Sequence, residues 1–114
     1  MHDAGPPSGP HRAAAGQARD IASAPRAVLL VFNPVAGRRH PGLLDRVKAA
    51  LESLGASVAV CETAARGDAA RLAGAARGRG YDRLLVAGGD GTINEAVNAL
   101  AGSTLPLAIV PMGT

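Results

Sequence analysis

The segment VAGGDGTINEAVNAL, residues 86–100, places three glycines around one aspartate, just before a helical pattern. Glycine has no Cβ, so it can adopt positive φ and lets a ligand approach the backbone closely. A helix that begins at Thr92 would open with unpaired amide groups and with the positive end of its dipole. Together these features predict an anion-binding loop, for which a phosphate chain is the usual guest.

Asp90 lies inside this predicted anion site, where its carboxylate would repel a phosphate unless a cation or water lay between them. The pattern therefore indicates a nucleotide bound with Mg²⁺, with Asp90 acting through the metal or through water. The alternative is a tight strand-to-helix turn in which Asp90 lies near the helix N-cap. Two common nucleotide motifs do not occur, because the third glycine of G-x-G-x-x-G would fall at Asn94 and the sequence has no GK[ST].

Outward from this segment, short apolar runs alternate with stretches of helical spacing. RAVLLVF, residues 26–32, is a continuous apolar run that ends at NP, which is typical of a strand buried on both faces. The next stretch has helical spacing, and Gly55 stands where a C-terminal cap belongs. The alternation of four strands with three helices predicts a three-layer α/β fold, with a mostly parallel sheet and helices on both faces. The predicted elements after the first strand are residues 43–55, 56–62, 67–80, 82–88, 92–102 and 105–111.

Ligands of such sheets bind beyond the carboxyl ends of the strands, where this sequence has glycine-rich or polar loops. In NPVAGRR, Asn33 and Gly37 can turn the chain tightly, and two adjacent arginines could neutralise a phosphate. The alternative for this loop is a surface turn with solvated arginines, Arg38 and Arg39. Hydroxyl groups follow the second and fourth strands, at Thr63 and Thr114.

The 114 residues suffice for one domain, and the apolar periodicity is confined to residues 26–114. Residues 1–25 hold four of the eight prolines and predict a disordered tail. The net charge of +3 comes from scattered arginines without interleaved aromatics, which argues against a nucleic-acid partner. Cys61 is the only cysteine, which fits a reducing cytoplasm. The longest strongly apolar run, AVLLVF, is far shorter than the roughly 20 residues of a membrane helix.

Three motifs in this order and spacing resemble the catalytic domain of diacylglycerol kinases: VFNPVAGRR, GGDGTINEAVNAL and LAIVPMGT. The sequence is most similar to the bacterial lipid kinases of that family, which also includes sphingosine and ceramide kinases. The resemblance extends over residues 26–114. GGDGT alone also occurs in NAD kinases, but NPVAG together with INEAVN favours the lipid kinases.

The resemblance implies a kinase that uses ATP and Mg²⁺ to phosphorylate a hydroxyl of diacylglycerol or a related lipid. It also implies a cytoplasmic enzyme that contacts the membrane surface where such a lipid resides. The positions that match the family's nucleotide-contacting residues are Asn33, Pro34, Val35, Ala36, Gly37, Thr63, Gly88, Gly89, Asp90, Gly91, Thr92, Ile93, Asn94 and Thr114.

Members of this family continue past the P-x-G-T motif into a second, β-rich domain, which supplies the general base, most metal ligands and much of the lipid site. Because the sequence ends at Thr114, the resemblance predicts a truncated nucleotide-binding domain that lacks this second domain. We expect such a fragment to be inactive alone, since phosphoryl transfer requires both substrates to be positioned. Two alternatives stay open, a fragment of an NAD kinase-like enzyme and a nucleotide-binding remnant without catalysis.

Overall fold

A computed structural model of the chain describes residues 26–112. The predicted disordered tail, residues 1–25, and the predicted site residue Thr114 lie outside the described residues. The elements in chain order are β1 (Ala27–Phe32), α1 (Pro34–Gly37), α2 (Leu43–Ser53), β2 (Ser57–Glu62), α3 (Asp68–Ala76), β3 (Arg83–Gly88), α4 (Asp90–Ala99) and β4 (Leu107–Pro111). The four strands form one sheet in the order β2-β1-β3-β4, and every pair in it is parallel.

β1 forms the centre of the core, because all six of its residues are buried. Since alternate residues of a strand point to opposite faces, Leu29 and Val31 pack with α3 and α4, whereas Val28 and Leu30 pack with α2. The predicted three-layer arrangement, with helices on both faces of the sheet, is confirmed. Cys61 of β2 packs at the margin of the α3–α4 layer, where partial burial raises the pKa of its thiol.

The connections that leave β1 and β3 run in opposite directions across the sheet. From β1 the chain passes through α2 to β2 at one edge, and from β3 it passes through α4 to β4 at the other. Right-handed crossovers therefore place α2 and α4 on opposite faces. The carboxyl ends of β1 and β3 are neighbours, with Phe32 paired to Ala87. A crevice between their diverging loops is the switch point at which open parallel sheets bind ligands.

Two local features differ from the sequence prediction. The stretch after β1, predicted as a loop, begins with the short helix α1, because the Asn33 side chain caps it and Pro34 occupies its first turn. Helix α4 begins at Asp90 rather than at Thr92, with Gly89 as its N-cap residue. Asp90 is therefore a first-turn carboxylate, a position that the helix dipole favours.

The glycines differ in what they do for the backbone. Gly55 has φ of 94° directly after α2, and its N–H donates to the Glu52 carbonyl at 2.9 Å, so the predicted cap is confirmed. Gly88, Gly89 and Gly91 do not use the positive φ that glycine permits, because the described glycines with positive φ lie elsewhere. Gly89 has extended backbone angles, φ −87° and ψ −173°, which any residue can adopt.

β4 lies at an edge of the sheet and is much less covered than β1. It pairs with β3 along one side, from Leu107 to Pro111. All five of its residues are partly or fully exposed, and Ile109 is 44% exposed. The sheet is therefore well buried at its centre and open along this strand.

Gly37, the last residue of α1, is explained by packing against β1. A Cβ at this position would overlap the Cζ atom of Phe32 and lie 2.9 Å from its Cε1, and Phe32 is a buried residue, only 8% exposed. The ring or the helix would have to move to admit a methyl group. Gly74 in α3 is the opposite case, because a Cβ there would meet no atom within 4 Å.

Gly37→Ala is expected to lower the free energy of unfolding by about 1–3 kcal/mol, the usual cost of overpacking. The matched control Gly74→Ala is expected to raise it by about 0.5–1 kcal/mol, because alanine loses less conformational freedom in a helix. Urea denaturation of the two variants and the native chain measures both changes. A Gly37→Ala chain as stable as the native one would contradict the packing explanation.

Candidate functional site

Asn33 connects the two loops that diverge at the switch point. Its Oδ1 accepts hydrogen bonds from the N–H groups of Val35 at 2.9 Å and Ala36 at 3.4 Å. Its Nδ2 donates across the crevice to Oγ1 of Thr92 at 3.1 Å. Its backbone N–H donates to the carbonyl of Ala87 at 2.9 Å. Because the two backbone donors identify Oδ1, the orientation of the amide is assigned by its partners.

The hydroxyl of Thr92 is left as a hydrogen-bond donor by this arrangement. Its oxygen accepts from Asn33, and its proton has no acceptor among residues 26–112. A hydroxyl can accept and donate at the same time. An anion in the crevice could therefore accept the proton of Thr92, and bonds to charged acceptors are the stronger kind.

The first turn of α4 adds backbone donors to the same place. The first hydrogen bond inside the helix runs from the Ile93 N–H to the Gly89 carbonyl at 3.0 Å, and Gly89 provides no side-chain cap. The N–H groups of Asp90, Gly91 and Thr92 consequently have no acceptor within the described part of the chain. With the positive end of the helix dipole, they make this turn suitable for an anion.

Gly88 and Gly91 differ in whether the protein itself requires glycine at the position. A Cβ on Gly88 would lie 3.0 Å from Cβ of Thr92 and 3.2 Å from Cβ of Asn33, so a side chain would push these two residues apart. A Cβ on Gly91 would meet no atom within 4 Å. Gly88 is therefore needed for the close approach of the two loops, whereas the protein itself leaves space at Gly91.

Two clefts meet at the bond between Asn33 and Thr92. The first, which we call the α1–α4 cleft, has a volume of about 320 Å³ and is lined by two residues of opposite charge, Arg39 and Asp90. Its lining residues are Asn33, Val35, Ala36, Arg39, Gly89, Asp90, Gly91 and Thr92. Of the two adjacent arginines, Arg39 lines the cleft, and Arg38 is the C-cap residue of α1.

The second cleft, which we call the β2-side cleft, has a volume of about 340 Å³ and reaches the loop after β2. Thr63 lines it as the sequence predicts, and its N–H donates to the Phe32 carbonyl at 2.9 Å, one residue beyond the paired strands. The full lining consists of Asn33, Val35, Thr63, Ala64, Ala65, Arg66, Ala69, Gly91, Thr92 and Glu95. The two clefts share four of these residues, so one extended ligand could occupy both.

Two carboxylates hold the loop between β2 and α3 in place. Oδ2 of Asp68 accepts from the N–H groups of Ala64 at 2.7 Å and Ala65 at 3.1 Å. Both bonds lower the pKa of the Asp68 carboxyl, and the bond from Ala64 has the larger effect. Oε2 of Glu95 accepts from the Gly67 N–H at 2.9 Å and so links α4 to this loop. The wall of the β2-side cleft is therefore fixed by hydrogen bonds from both of its ends.

The structure brings most of the predicted site residues together and assigns some of them packing roles. Pro34 begins α1 and Gly37 contacts Phe32, so both shape the loop. Ile93 and Asn94 line a separate shallow hollow on α4, together with Asp90, Gly91 and Val97. The predicted residues that line one or both clefts are Asn33, Val35, Ala36, Thr63, Gly89, Asp90, Gly91 and Thr92.

Glu95 is one of two charged cleft residues that the sequence pattern did not identify. It follows Thr92 by three residues on α4, and residues at that spacing lie on the same side of a helix. This spacing is the feature of the sequence that places Glu95 on the same side of α4 as Thr92. Arg66 was missed as well, because it lies between Thr63 and Gly67 in a loop whose sequence carries no nucleotide-binding motif.

Metal ligation in the described region would have to begin from isolated carboxylates. Residues 26–112 contain no group of three or more histidine, cysteine, aspartate or glutamate side chains that could hold a metal ion. Asp90 is the carboxylate of the α1–α4 cleft, beside the unpaired amides of α4. A divalent cation there would take further ligands from phosphate oxygens and water, which is common for Mg²⁺.

Comparisons with known proteins agree with this architecture. The chain is 39% identical over 88 residues to a diacylglycerol kinase of Staphylococcus haemolyticus, covering 75% of this chain and 27% of that protein. It is 37% identical over 91 residues to a diacylglycerol kinase of Bacillus subtilis, covering 75% and 29% respectively. A crystal structure of a diacylglycerol kinase from Bacillus anthracis superimposes with a TM-score of 0.64 at 34% identity, covering 79% of this chain and 34% of that one.

The chain spans less than a third of the length of these curated relatives. The model of the diacylglycerol kinase catalytic domain matches residues 27–114, which include every strand, helix and cleft described above. The match therefore covers both loops that meet at Asn33 and Thr92. By sequence and by fold, the chain belongs to the diacylglycerol kinase catalytic domain family.

Proposed function

We propose that this chain is the ATP-binding part of a lipid kinase that transfers the γ-phosphate of ATP to a hydroxyl of diacylglycerol or a related lipid. The observation that carries the proposal is the hydrogen bond between Asn33 and Thr92 beside the unpaired amides of α4. It brings a hydroxyl donor and backbone donors to the switch point, where a phosphate chain can be bound. Family membership supports the choice of a lipid kinase.

In this proposal the α1–α4 cleft holds the phosphates. The amides of Gly91 and Thr92, the Thr92 hydroxyl and the Arg39 guanidinium group would donate to phosphate oxygens. Asp90 would hold Mg²⁺ directly or through water, which removes its repulsion toward the phosphates. Mg²⁺, when bound, neutralises charge that develops on the transferred phosphoryl group. The residues of this chain position the nucleotide and keep its phosphates ordered.

The lipid substrate suggests contact of the complete enzyme with a membrane surface from the cytoplasm. In residues 26–112 no helix is both long enough and apolar enough to cross a bilayer.

Gly91→Ala tests whether the first turn of α4 binds phosphate. The space around Gly91 and the helix preference of alanine predict unchanged or higher stability, by up to about 1 kcal/mol. ATP binding, measured by calorimetry, is expected to weaken at least tenfold because the new methyl group occupies the cleft that the phosphates need, a loss of about 1.4 kcal/mol. Normal ATP binding by Gly91→Ala would contradict the assignment of this turn to phosphate.

Gly88→Ala is the matched comparison and is expected to act on the protein itself. Its methyl group would separate Asn33 from Thr92, so unfolding free energy should fall by about 1–3 kcal/mol. Thermal unfolding of both variants distinguishes the two effects. Equal stability loss in Gly88→Ala and Gly91→Ala would mean that both glycines serve only packing.

Asp90→Asn is expected to reduce the effect of Mg²⁺ on ATP affinity while leaving metal-free ATP binding unchanged or tighter. The variant removes the charge that attracts the cation and also the charge that repels free phosphate. Asp45→Asn is the control, because Asp45 is the first-turn acid of α2. Calorimetry with and without Mg²⁺ measures the effect. An unchanged Mg²⁺ dependence in Asp90→Asn would mean that Asp90 only stabilises the first turn of α4 through the helix dipole.

We further propose that the 114-residue chain binds ATP without transferring its phosphate to a lipid. The chain spans less than a third of its curated relatives, and positioning of both substrates is required for phosphoryl transfer. Purified chain with Mg-ATP and diacylglycerol in vesicles should give no phosphorylated lipid above a protein-free control. The diacylglycerol kinase of Bacillus subtilis serves as the positive control. Phosphorylated lipid formed by the purified chain would overturn this proposal.

A further inference from the structure

His40 joins the segment that follows β1 to the end of β4. Its Nε2 lies 2.7 Å from the carbonyl oxygen of Met112, a residue 72 positions later in the chain. Because a carbonyl oxygen can only accept, Nε2 is the donor, and the tautomer of the ring is assigned by this partner. The backbone of His40 is also held, since its N–H donates to the Gly37 carbonyl at 2.9 Å and its carbonyl accepts from the Leu43 N–H at 3.0 Å. The residue is exposed, yet it is fixed at both its backbone and its ring.

Met112 gives the imidazole a rigid anchor. It is only 3% exposed and packs in the core cluster on the α2 side of the sheet. Its N–H donates to the Gly88 carbonyl at 2.8 Å, which continues the pairing of β3 with β4 one residue beyond Pro111. The acceptor of the histidine bond is therefore held by the sheet.

The bond between His40 and Met112 spans the carboxyl end of β3. The order of the strands is β1-β3-β4, so a segment that leaves β1 and contacts the end of β4 must cross the end of β3. We call this segment, residues 33–40, the bridge segment. Its first residue, Asn33, is bonded to Thr92 of α4, and its last is bonded to Met112. Helix α1, between these ends, contacts β3. The bridge segment is thus tied at both ends to elements that adjoin β3.

Arg39 is the residue of the bridge segment that depends most on the second tie. It lines the α1–α4 cleft directly before His40, and it is exposed. Its guanidinium group has no hydrogen-bond or ion-pair partner among residues 26–112. Its N–H donates to the Ala36 carbonyl at 3.3 Å, which is longer than most such bonds. The turn before Arg39 therefore restrains it weakly, whereas the neighbouring residue is anchored to the sheet.

We infer that His40 is a positioning residue that holds Arg39 beside the phosphates of bound ATP. The inference rests on the proposed nucleotide function and deepens it, because it explains how an exposed arginine is placed before the ligand arrives. A loop and a long side chain that must be ordered on binding lower the affinity for the ligand. The histidine bond orders the backbone at Arg39 in advance, so His40 supports ATP binding without contacting the nucleotide.

Two substitutions test the histidine bond. His40→Phe keeps a ring but removes the donor, and ATP binding in the presence of Mg²⁺ should weaken about threefold to tenfold, the effect of ordering one more side chain on binding. His40→Gln offers an amide donor to the same carbonyl and should restore an affinity near the native value. Calorimetry on the 114-residue chain measures the affinities. Thermal unfolding identifies the temperature at which all variants are folded, and the titrations are made below it.

A double-mutant cycle distinguishes positioning of Arg39 from a general structural role. Arg39→Gln should weaken ATP binding about tenfold or more, the effect of losing a hydrogen bond to a charged group. In that background His40→Phe should cause no further loss. Lys48→Gln provides the matched background, because it removes the same charge from an exposed position of α2, where Lys48 pairs with Glu52. There His40→Phe should keep its full effect.

Each of the other outcomes is decisive as well. Native affinity in His40→Phe, or an affinity of His40→Gln as low as that of His40→Phe, would overturn the inference. An equal loss from His40→Phe in both backgrounds would also overturn it, because the effect would not pass through Arg39. Native affinity in Arg39→Gln would overturn the inference and leave the ATP site itself in place. No binding of ATP by the folded native chain would overturn the proposed function, and the inference with it.

Discussion

The side chain of Asn33 holds together two loops that the sheet topology drives apart. The chain leaves β1 toward one face and β3 toward the other, and the backbone pairing of the two strands ends at the bond from the Asn33 N–H to the Ala87 carbonyl. Beyond this bond the Asn33 amide connects the loops, because its oxygen caps α1 and its nitrogen binds Thr92. Gly88 permits this by leaving no Cβ between Asn33 and Thr92. The position of the hydroxyl donor at the crevice depends on this single short side chain.

The sheet and the order of its elements could be predicted from the sequence because they follow from patterns that are local and repeated. The buried run of β1 is visible as one continuous apolar stretch. The cap at Gly55 depends on residues within the last turn of α2. The role of Gly37 could not be predicted, since it depends on where the Phe32 ring packs. The GGDGT glycines were correctly associated with a helix start. Of the two reasons for glycine, positive φ and close approach, the structure uses close approach at Gly88, where two loops meet.

The candidate site was predictable where it follows a strand and poorly predictable where it depends on a neighbouring loop. Asp90 and Thr92 follow β3 directly, so the carboxyl-end rule for parallel sheets locates them. Glu95 lies on the Thr92 side of α4, and a loop 28 residues earlier in the chain donates an N–H to it. That contact joins α4 to the loop before α3, and no spacing in the sequence encodes it. Similarly, Asp68 shapes that loop through bonds to amides that precede it.

The open side of β4 has a consequence for the behaviour of the chain in solution. Within residues 26–112 no strand pairs with its outer side, and Ala108 and Ile109 are exposed along it. An uncovered apolar edge with free backbone donors and acceptors is a template for pairing with another chain. Association through β4 would make the oligomeric state of the isolated chain depend on its concentration. It would leave the clefts accessible, because they lie at the carboxyl ends of β1 and β3, toward the middle of the sheet.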